Sequence, residues 1–405
     1  MSIVTKGIFI VAAKRTPFGT MGGVFTNKTA TELSVIAANA AMQSAGIKPE
    51  KIDSVIFGQV LTLASADGAF LPRHVLLQTG IPLDRPALGV NRLCGSGFQS
   101  IANAAQNILT GESRIVLAGG AENMSQVPFV VRGVRFGTVL GQKHEFEDAL
   151  WAGLYDTHCN LPMGLTAEKL GAQYNITRAE VDEFALRSQQ LWKTANDAGR
   201  FKEELAPVTV KIKKQDVTIS VDEHPRPKTT KENLTKLNPV FKKDGLVTAG
   251  SASVMEILNG VCDGAGALIL ASEEAVKQEK LVPLARLVGY SVAGVDPSIM
   301  GIGPVPAIRN LLKSTGKTLD DIELVEINEA FGAQTLACAK ELNLDLNKLN
   351  VNGGAIALGH PLGASGSRIT AHLVHELRRR KAGKLGIGSA CIGGGQGIAV
   401  MIEYL

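Results

Sequence analysis

Glycine constrains this chain more than any other feature. The sequence holds 44 glycines in 405 residues, and they gather where apolar, strand-like runs end, without a fixed period. That distribution excludes a collagen-like chain and marks turns and close backbone approaches in a folded α/β protein. Three of these glycine-crowded turns also carry a reactive side chain. Cys94 lies in Asn91-Arg92-Leu93-Cys94-Gly95-Ser96-Gly97-Phe98, and His360 ends the run Asn352-Gly353-Gly354-Ala355-Ile356-Ala357-Leu358-Gly359-His360-Pro361. Cys391 opens Cys391-Ile392-Gly393-Gly394-Gly395-Gln396-Gly397. Lacking a Cβ, glycine lets backbone approach a ligand and adopt φ > 0. Two thiols and an imidazole in such settings point to a site that handles acyl groups.

Apolar β-rich runs alternate with helical periodicity: a strand over 53–60, a helix over 97–109, a strand over 114–118. This order argues for βαβ units around a buried sheet. It returns later, where 321–328 parallels 52–59, the His360 turn parallels the Cys94 turn, and 384–390 parallels 113–119. The pattern reads as a weak duplication of about a hundred residues, giving two similar α/β halves. Residues 122–248 differ in texture: they hold both tryptophans, much of the charge and an amphipathic stretch over 177–198. We read them as an insertion covering one face of the core. The expected division is 1–121 for the first half, 122–248 for the inserted loop domain, 249–279 for a return to the first half, and 280–405 for the second.

Composition narrows the partners. A net charge of +4 is too small to imply nucleic acid. No apolar run reaches the roughly 18 residues that a membrane-spanning helix needs. Five cysteines, an odd number without paired close spacing, favour free thiols in a reducing compartment. Lys6, Lys14, Arg15 and Lys28 all precede the first acidic residue, Glu32, as in mitochondrial transit peptides. A core strand is expected over 8–13, so an import signal there would overlap the fold and stay uncleaved. His144, His158 and His224 have no compact ligand spacing; they are read as surface residues, and no metal site is expected.

Thiolate, not thiol, is the nucleophile, and its pKa falls at a helix N-terminus. Cys94 is placed where a strand over 87–93 gives way to a helix from Gly95, facing unpaired N–H groups. His360 has a similar setting before a helix from about Gly366, so the two turns could meet across a pseudo-twofold. Making or breaking a C–C bond beside a thioester needs a nucleophile and a separate acid/base, which Cys391 could supply.

The stretches 91–100, Asn328-Glu329-Ala330-Phe331, 351–366 and 389–397 together resemble the thiolases, and the resemblance runs over essentially the whole chain. It is nearest to the mitochondrial branch that cleaves 3-ketoacyl-CoA in fatty-acid β-oxidation. The resemblance implies a layered αβαβα fold and thiolytic cleavage to acetyl-CoA and a shortened acyl-CoA through an acyl-Cys94 intermediate. His360 would take the proton of Cys94, and Cys391 would act as acid and base. Two oxyanion holes are implied, one from His360 with a water on Asn328, the other from the N–H groups of Cys94 and Gly393. Coenzyme A is implied as co-substrate, with no tightly bound cofactor. Its contacts would be Arg226 near the adenine, Leu154 and Met163 along the pantetheine, Ala249, Gly250 and Ser253 near its amides, and Phe331 at the thiol end. Pro162 before Met163 favours the broad-chain branch. A homodimer or homotetramer in the mitochondrial matrix is implied as well. A biosynthetic acetoacetyl-CoA thiolase and a catalytically impaired thiolase-fold CoA- or lipid-binding protein are the alternative readings. One departure stands out: Ser251-Ala252-Ser253 is followed by 254–259 where the family runs directly into its next helix. We read that stretch as an outward surface turn.

Overall fold

The computed structural model describes residues 2–253, 261–381 and 383–405, so the added stretch 254–259 lies outside the described residues. The principal elements are β1 (Ser2–Val4), β2 (Ile8–Arg15), α1 (Ala30–Ala45), β3 (Ser54–Gly58), α2 (Leu71–Gln78), β4 (Ala87–Val90), α3 (Ser96–Thr110) and β5 (Ile115–Asn123). There follow α4 (Met163–Gln173), α5 (Arg178–Asp197), β6 (Cys262–Ser272), β7 (Ala285–Gly294), α6 (Pro304–Thr315), β8 (Ile322–Ile327), α7 (Gly332–Leu342), α8 (Ser365–Arg380), β9 (Leu385–Ile392) and β10 (Gln396–Tyr404).

Strands β2, β6, β5, β3 and β4 lie side by side in that order, and β7, β10, β9 and β8 form a second run. Among the described residues the runs join where Ala285 and Arg286 pair with Ile10 and Phe9. In each run a parallel pair is bridged by a helix: α3 crosses from β4 toward β5, and α8 leads into β9, which pairs in parallel with β8. Even the short edge strand β4 has a counterpart, since Leu349 makes a parallel bridge to Val325 of β8.

Helices α3 and α8 fill the middle layer. Phe98, Ile101, Ile369 and Leu373 pack there against Ile10, Ile56 and Leu268 of the first run and Leu287, Ile398 and Val400 of the second. Each is essentially closed to solvent, which contributes roughly 1.5–3 kcal/mol per large side chain. On the outer faces, α1 and α2 cover the first run and α6 and α7 the second. The result is the layered α/β/α/β/α arrangement. The inserted region contributes Leu170, Val181 and Phe184 to the outer core of the second run.

Two details differ from the expected division. Residues 2–4 pair with β7 and so belong to the second run, although they open the chain. The boundary at 121/122 falls inside β5, because Glu122 and Asn123 still pair with Gly264 and Asp263.

Candidate active site

The first turns of α3 and α8 cross with their backbones in contact. A Cβ on Gly366 would lie 2.0 Å from the Phe98 nitrogen, and one on Gly97 would lie 2.7 Å from the Ser367 nitrogen. Only glycine permits that approach, and it sets the turn before α3 beside the turn before α8. The same logic seats the second turn on the first sheet, where a Cβ on Gly120 would stand 1.9 Å from the Gly363 carbonyl oxygen.

Cys94 follows Leu93, whose φ of 44° is unusual for a side-chain-bearing residue. The turn is held by Leu93 N–H donating to Asn91 Oδ1 (2.9 Å) and Ser96 N–H donating to the Leu93 carbonyl (2.9 Å). Arg92 ties it to the third reactive turn by donating to Gln396 Oε1 at 2.7 Å. Cys94 is half-buried and lines a narrow cavity. Burial pushes the thiol up to about 11, against the N–H groups of Gly393 and of Cys94 itself, which favour the thiolate. The net shift is upward, contrary to the sequence expectation, because desolvation outweighs the N–H groups that favour the thiolate.

His360 is fully buried after the short helix Ala355–Leu358 and Gly359 (φ 93°). Its Nδ1 meets Ser365 Oγ at 2.5 Å, and Ser365 Oγ donates to the Pro361 carbonyl at 3.0 Å. The hydroxyl proton being used there, Nδ1–H is the donor and Nε2 carries the lone pair. That Nε2 is buried without a partner. Burial, with the positive charge of Arg368, pushes the imidazole down to about 3, so it is a neutral base.

Cys391 ends β9 at full burial, and burial raises its thiol well above the ordinary value, with the nearby Cys94 adding to the shift. Asn328 follows β8, donating its N–H to the Ser389 carbonyl at 2.9 Å. Both polar atoms of its side chain are buried and unpartnered, a costly state that a bound water or substrate oxygen would relieve. Cys94 and Cys391 share one apolar cluster with Leu154, Phe331 and Leu362. A narrow cavity opens over Cys94 and Gly393, walled by Val60, Leu93, Leu154, Met163, Phe331 and Leu362.

Beyond it runs a groove of about 550 Å³ lined by His224, Arg226, Thr229, Leu234, Ala249 and Gly250 among others. Ala252 lines the groove and Phe331 lines the cavity, so the strip 251–253 links the two linings. Ala252 bridges Phe331, and Gly332 N–H donates to the Ser251 carbonyl at 2.8 Å. Such a pair of an apolar thiol cavity and an open groove can hold a long thioester with its reacting end in the cavity.

Family models for the thiolase N-terminal and C-terminal domains match residues 8–274 and 281–404. The chain belongs to the thiolase family. It is 61% identical over 398 residues to the mitochondrial 3-ketoacyl-CoA thiolase of Homo sapiens, covering 98% of each chain. It is 44% identical over 406 residues to an acetyl-CoA acetyltransferase of Syntrophomonas wolfei, covering 99% of this chain and 100% of that protein. The crystal structure of the human mitochondrial 3-ketoacyl-CoA thiolase in complex with CoA superimposes with a TM-score of 0.95 at 60% identity, covering 100% of this chain and 99% of that one.

Within this thiolase, Cys94 and Gly393 line the cavity with Leu154, Met163 and Phe331, Cys391 joins the apolar cluster around it, and the segments that carry His360 and Asn328 reach its wall through Leu362 and Ala330. Arg226, Ala249 and Gly250 line the groove. Ser253 stands apart: it is fully buried, and its hydroxyl donates to the Glu329 carbonyl at 2.5 Å, so it braces the wall. His224 is not a surface residue. It is 4% exposed, donates Nδ1–H to the Ala357 carbonyl at 2.6 Å, and burial pushes it down to about 4. His144 and His158 are exposed, and no metal-binding cluster occurs among the described residues.

Several supporting residues were not singled out from sequence. Ser365 sets the His360 tautomer. Glu329 accepts from Ser188 Oγ (2.7 Å), Asn350 Nδ2 (2.8 Å) and Ile356 N–H (3.0 Å), locking the His360 segment to Asn328. Glu122 accepts from Val60 N–H (3.1 Å), Leu61 N–H (2.9 Å) and Gly363 N–H (3.0 Å), joining two cavity walls, while burial pushes it up to about 7. A buried acid beside a glycine turn was the available signal for both.

Proposed function

We propose that this thiolase cleaves 3-ketoacyl-CoA with CoA, giving acetyl-CoA and an acyl-CoA two carbons shorter, in fatty-acid β-oxidation. The observation carrying the reading is the neutral, oriented His360 base in a turn packed against that of Cys94, with Cys391 and Cys94 in one apolar cluster. Identity of 61% to a 3-ketoacyl-CoA thiolase, against 44% to an acetyl-CoA acetyltransferase, supports the thiolytic branch.

At rest the thiol and the imidazole are both neutral, so attack and proton transfer are coupled. Cys94 Sγ attacks the 3-keto carbon as His360 Nε2 takes the thiol proton. The C2–C3 bond then breaks, and its electron pair forms the enolate of acetyl-CoA. Cys391 gives its proton to C2, and acetyl-CoA leaves. Incoming CoA passes its thiol proton to Cys391, its sulfur attacks the Cys94 thioester, and Cys94 leaves with the proton held on His360. The N–H groups of Cys94 and Gly393 reach the sulfur of Cys94 and are suited to the oxygen of the acyl group bonded to it. Nε2–H of His360 and a water on Asn328 serve the enolate oxygen.

CoA occupies the groove as co-substrate, with Arg226 toward the adenine, Ala249 and Gly250 along the pantetheine, and Leu154, Met163 and Phe331 at the thiol end. Ser253 acts through the wall it ties to Glu329. The region after β5, residues 124–248, works as the loop domain between two thiolase halves, and the enzyme is a homodimer or homotetramer. β4 supports that assembly, since it lies at the end of the strand order with Leu88 48% exposed. We assign the enzyme to the mitochondrial matrix with an uncleaved N-terminal signal, because removing that region would take β2 out of the core. No described helix is long and apolar enough to cross a membrane. The deciding assay follows CoA-dependent loss of 3-ketoacyl-CoA absorbance with four-carbon and sixteen-carbon substrates. Cleavage of both supports the reading, and activity confined to acetoacetyl-CoA moves the enzyme to the biosynthetic branch.

A further inference from the structure

Arg15, at the end of β2, is fully buried far along the chain from every reactive turn. Its guanidinium lies between the rings of Phe18 (5.4 Å) and Phe201 (5.6 Å). Nε donates to Glu204 Oε1 at 2.7 Å, and the two terminal nitrogens fork onto Asp222 at 2.6 and 3.1 Å. Each acid leads elsewhere. The second oxygen of Glu204 meets His372 Nδ1 of α8 at 2.8 Å. Asp222 begins the segment that walls the groove with His224, Arg226 and Thr229, and its Oδ1 also accepts from Phe18 N–H at 2.9 Å.

We propose that Arg15 is a positioning residue that fixes the groove segment 222–229 against α8, the helix whose first turn orients His360. The inference rests on the thiolase reading above for the identity of the groove's occupant, CoA. A bidentate, ring-sandwiched guanidinium holds Asp222 in both distance and angle, which an ammonium cannot do. CoA held by that wall then delivers its sulfur at a defined distance from Cys94, and a small error in that delivery is costly. A thiol too short to reach the groove would not sense Arg15.

The test compares Arg15→Lys with wild type on two substrate pairs: 3-ketoacyl-CoA with CoA, and the N-acetylcysteamine thioester of the same acid with N-acetylcysteamine. The expected result is at least a tenfold loss of kcat/KM on the CoA pair, mostly in KM, and less than a twofold change on the short pair, by order of magnitude. Equal loss on both pairs, or none on either, overturns the proposal. CoA affinity by calorimetry is read in parallel and should weaken by about tenfold. Inactive wild type with intact CoA binding would sink the thiolytic reading, and calorimetry would still decide the role of Arg15. If Arg15→Lys fails to fold, Asp222→Asn breaks the same link and is subjected to the same comparisons.

Discussion

The thiol cavity and the groove beside it are built in opposite ways. The cavity has a largely apolar lining, and the turns around it bring in buried polar groups, with His360 Nε2 and both amide atoms of Asn328 left unpartnered. The groove is lined largely by residues from 224–237 and 249–252 and stays open to solvent, with Arg226 exposed on its wall. The cavity is positioned by backbone contacts at Gly97, Gly120 and Gly366 that leave no room for adjustment. An exposed groove side chain such as Arg226 has water as an alternative partner, so its loss is softened, whereas a buried polar atom, His224 Nε2 included, has none. The contrast teaches that changes in the cavity should appear in kcat and changes in the groove in KM.

The comparison breaks most sharply at Cys94. Cys94→Ala should abolish uptake of radiolabelled acyl groups from an acyl-CoA donor, while Cys391→Ala should still acylate slowly; equal labelling would overturn the division of roles. Asn328→Ala removes the proposed water anchor, and the expected loss of kcat is about 10²–10³-fold with little change in the KM for CoA. A mutant that raises KM instead would place Asn328 functionally with the groove. The resting thiol supplies a test by pH. With Cys94 raised to about 11, its alkylation by iodoacetamide should climb about tenfold per unit between about pH 7 and 9. A plateau near neutrality would mean that His360 already holds the proton. Ser365→Ala should cost roughly tenfold in kcat by freeing the imidazole tautomer, with partial retention in Ser365→Thr. The smallest effect belongs to the groove: Arg226→Ala should raise the KM for CoA a few-fold, more at low salt, leaving kcat intact.

Stability offers a separate reading of the same burial. His224 and His360 are held neutral with folded pKa values of about 4 and about 3, below the ordinary histidine value. The unfolded chain takes up these protons first as pH falls below about 6.5, so these two groups lower stability progressively toward the folded pKa values. Glu122, raised to about 7, acts with the opposite sign, since the folded state binds its proton first.

The turns that carry Cys94, His360 and Cys391, and the strand end before Asn328, were legible because each lies in a run of glycines or at the close of an apolar strand. The alternating strands and helices were legible for the same reason, as was the helix Arg178–Asp197, whose Thr177 and Glu180 form a capping box. His224 was misread as a surface residue because its neighbours in sequence do not reveal whether the ring faces water or the Ala357 carbonyl, and the bond from Ser253 to the Glu329 carbonyl is equally invisible there. The pKa of Cys94 was misread because the helix terminus is visible in sequence and the desolvation is not.

What the sequence determines by itself is where the backbone can turn, because the steric freedom of glycine and the periodicity of apolar residues act over a few neighbours. Tertiary structure alone decided which turns touch, which tautomer His360 holds and which polar atoms are left without partners. Those outcomes depend on burial and on contacts between residues hundreds of positions apart, as when Gly363 N–H reaches Glu122, and no local pattern encodes them.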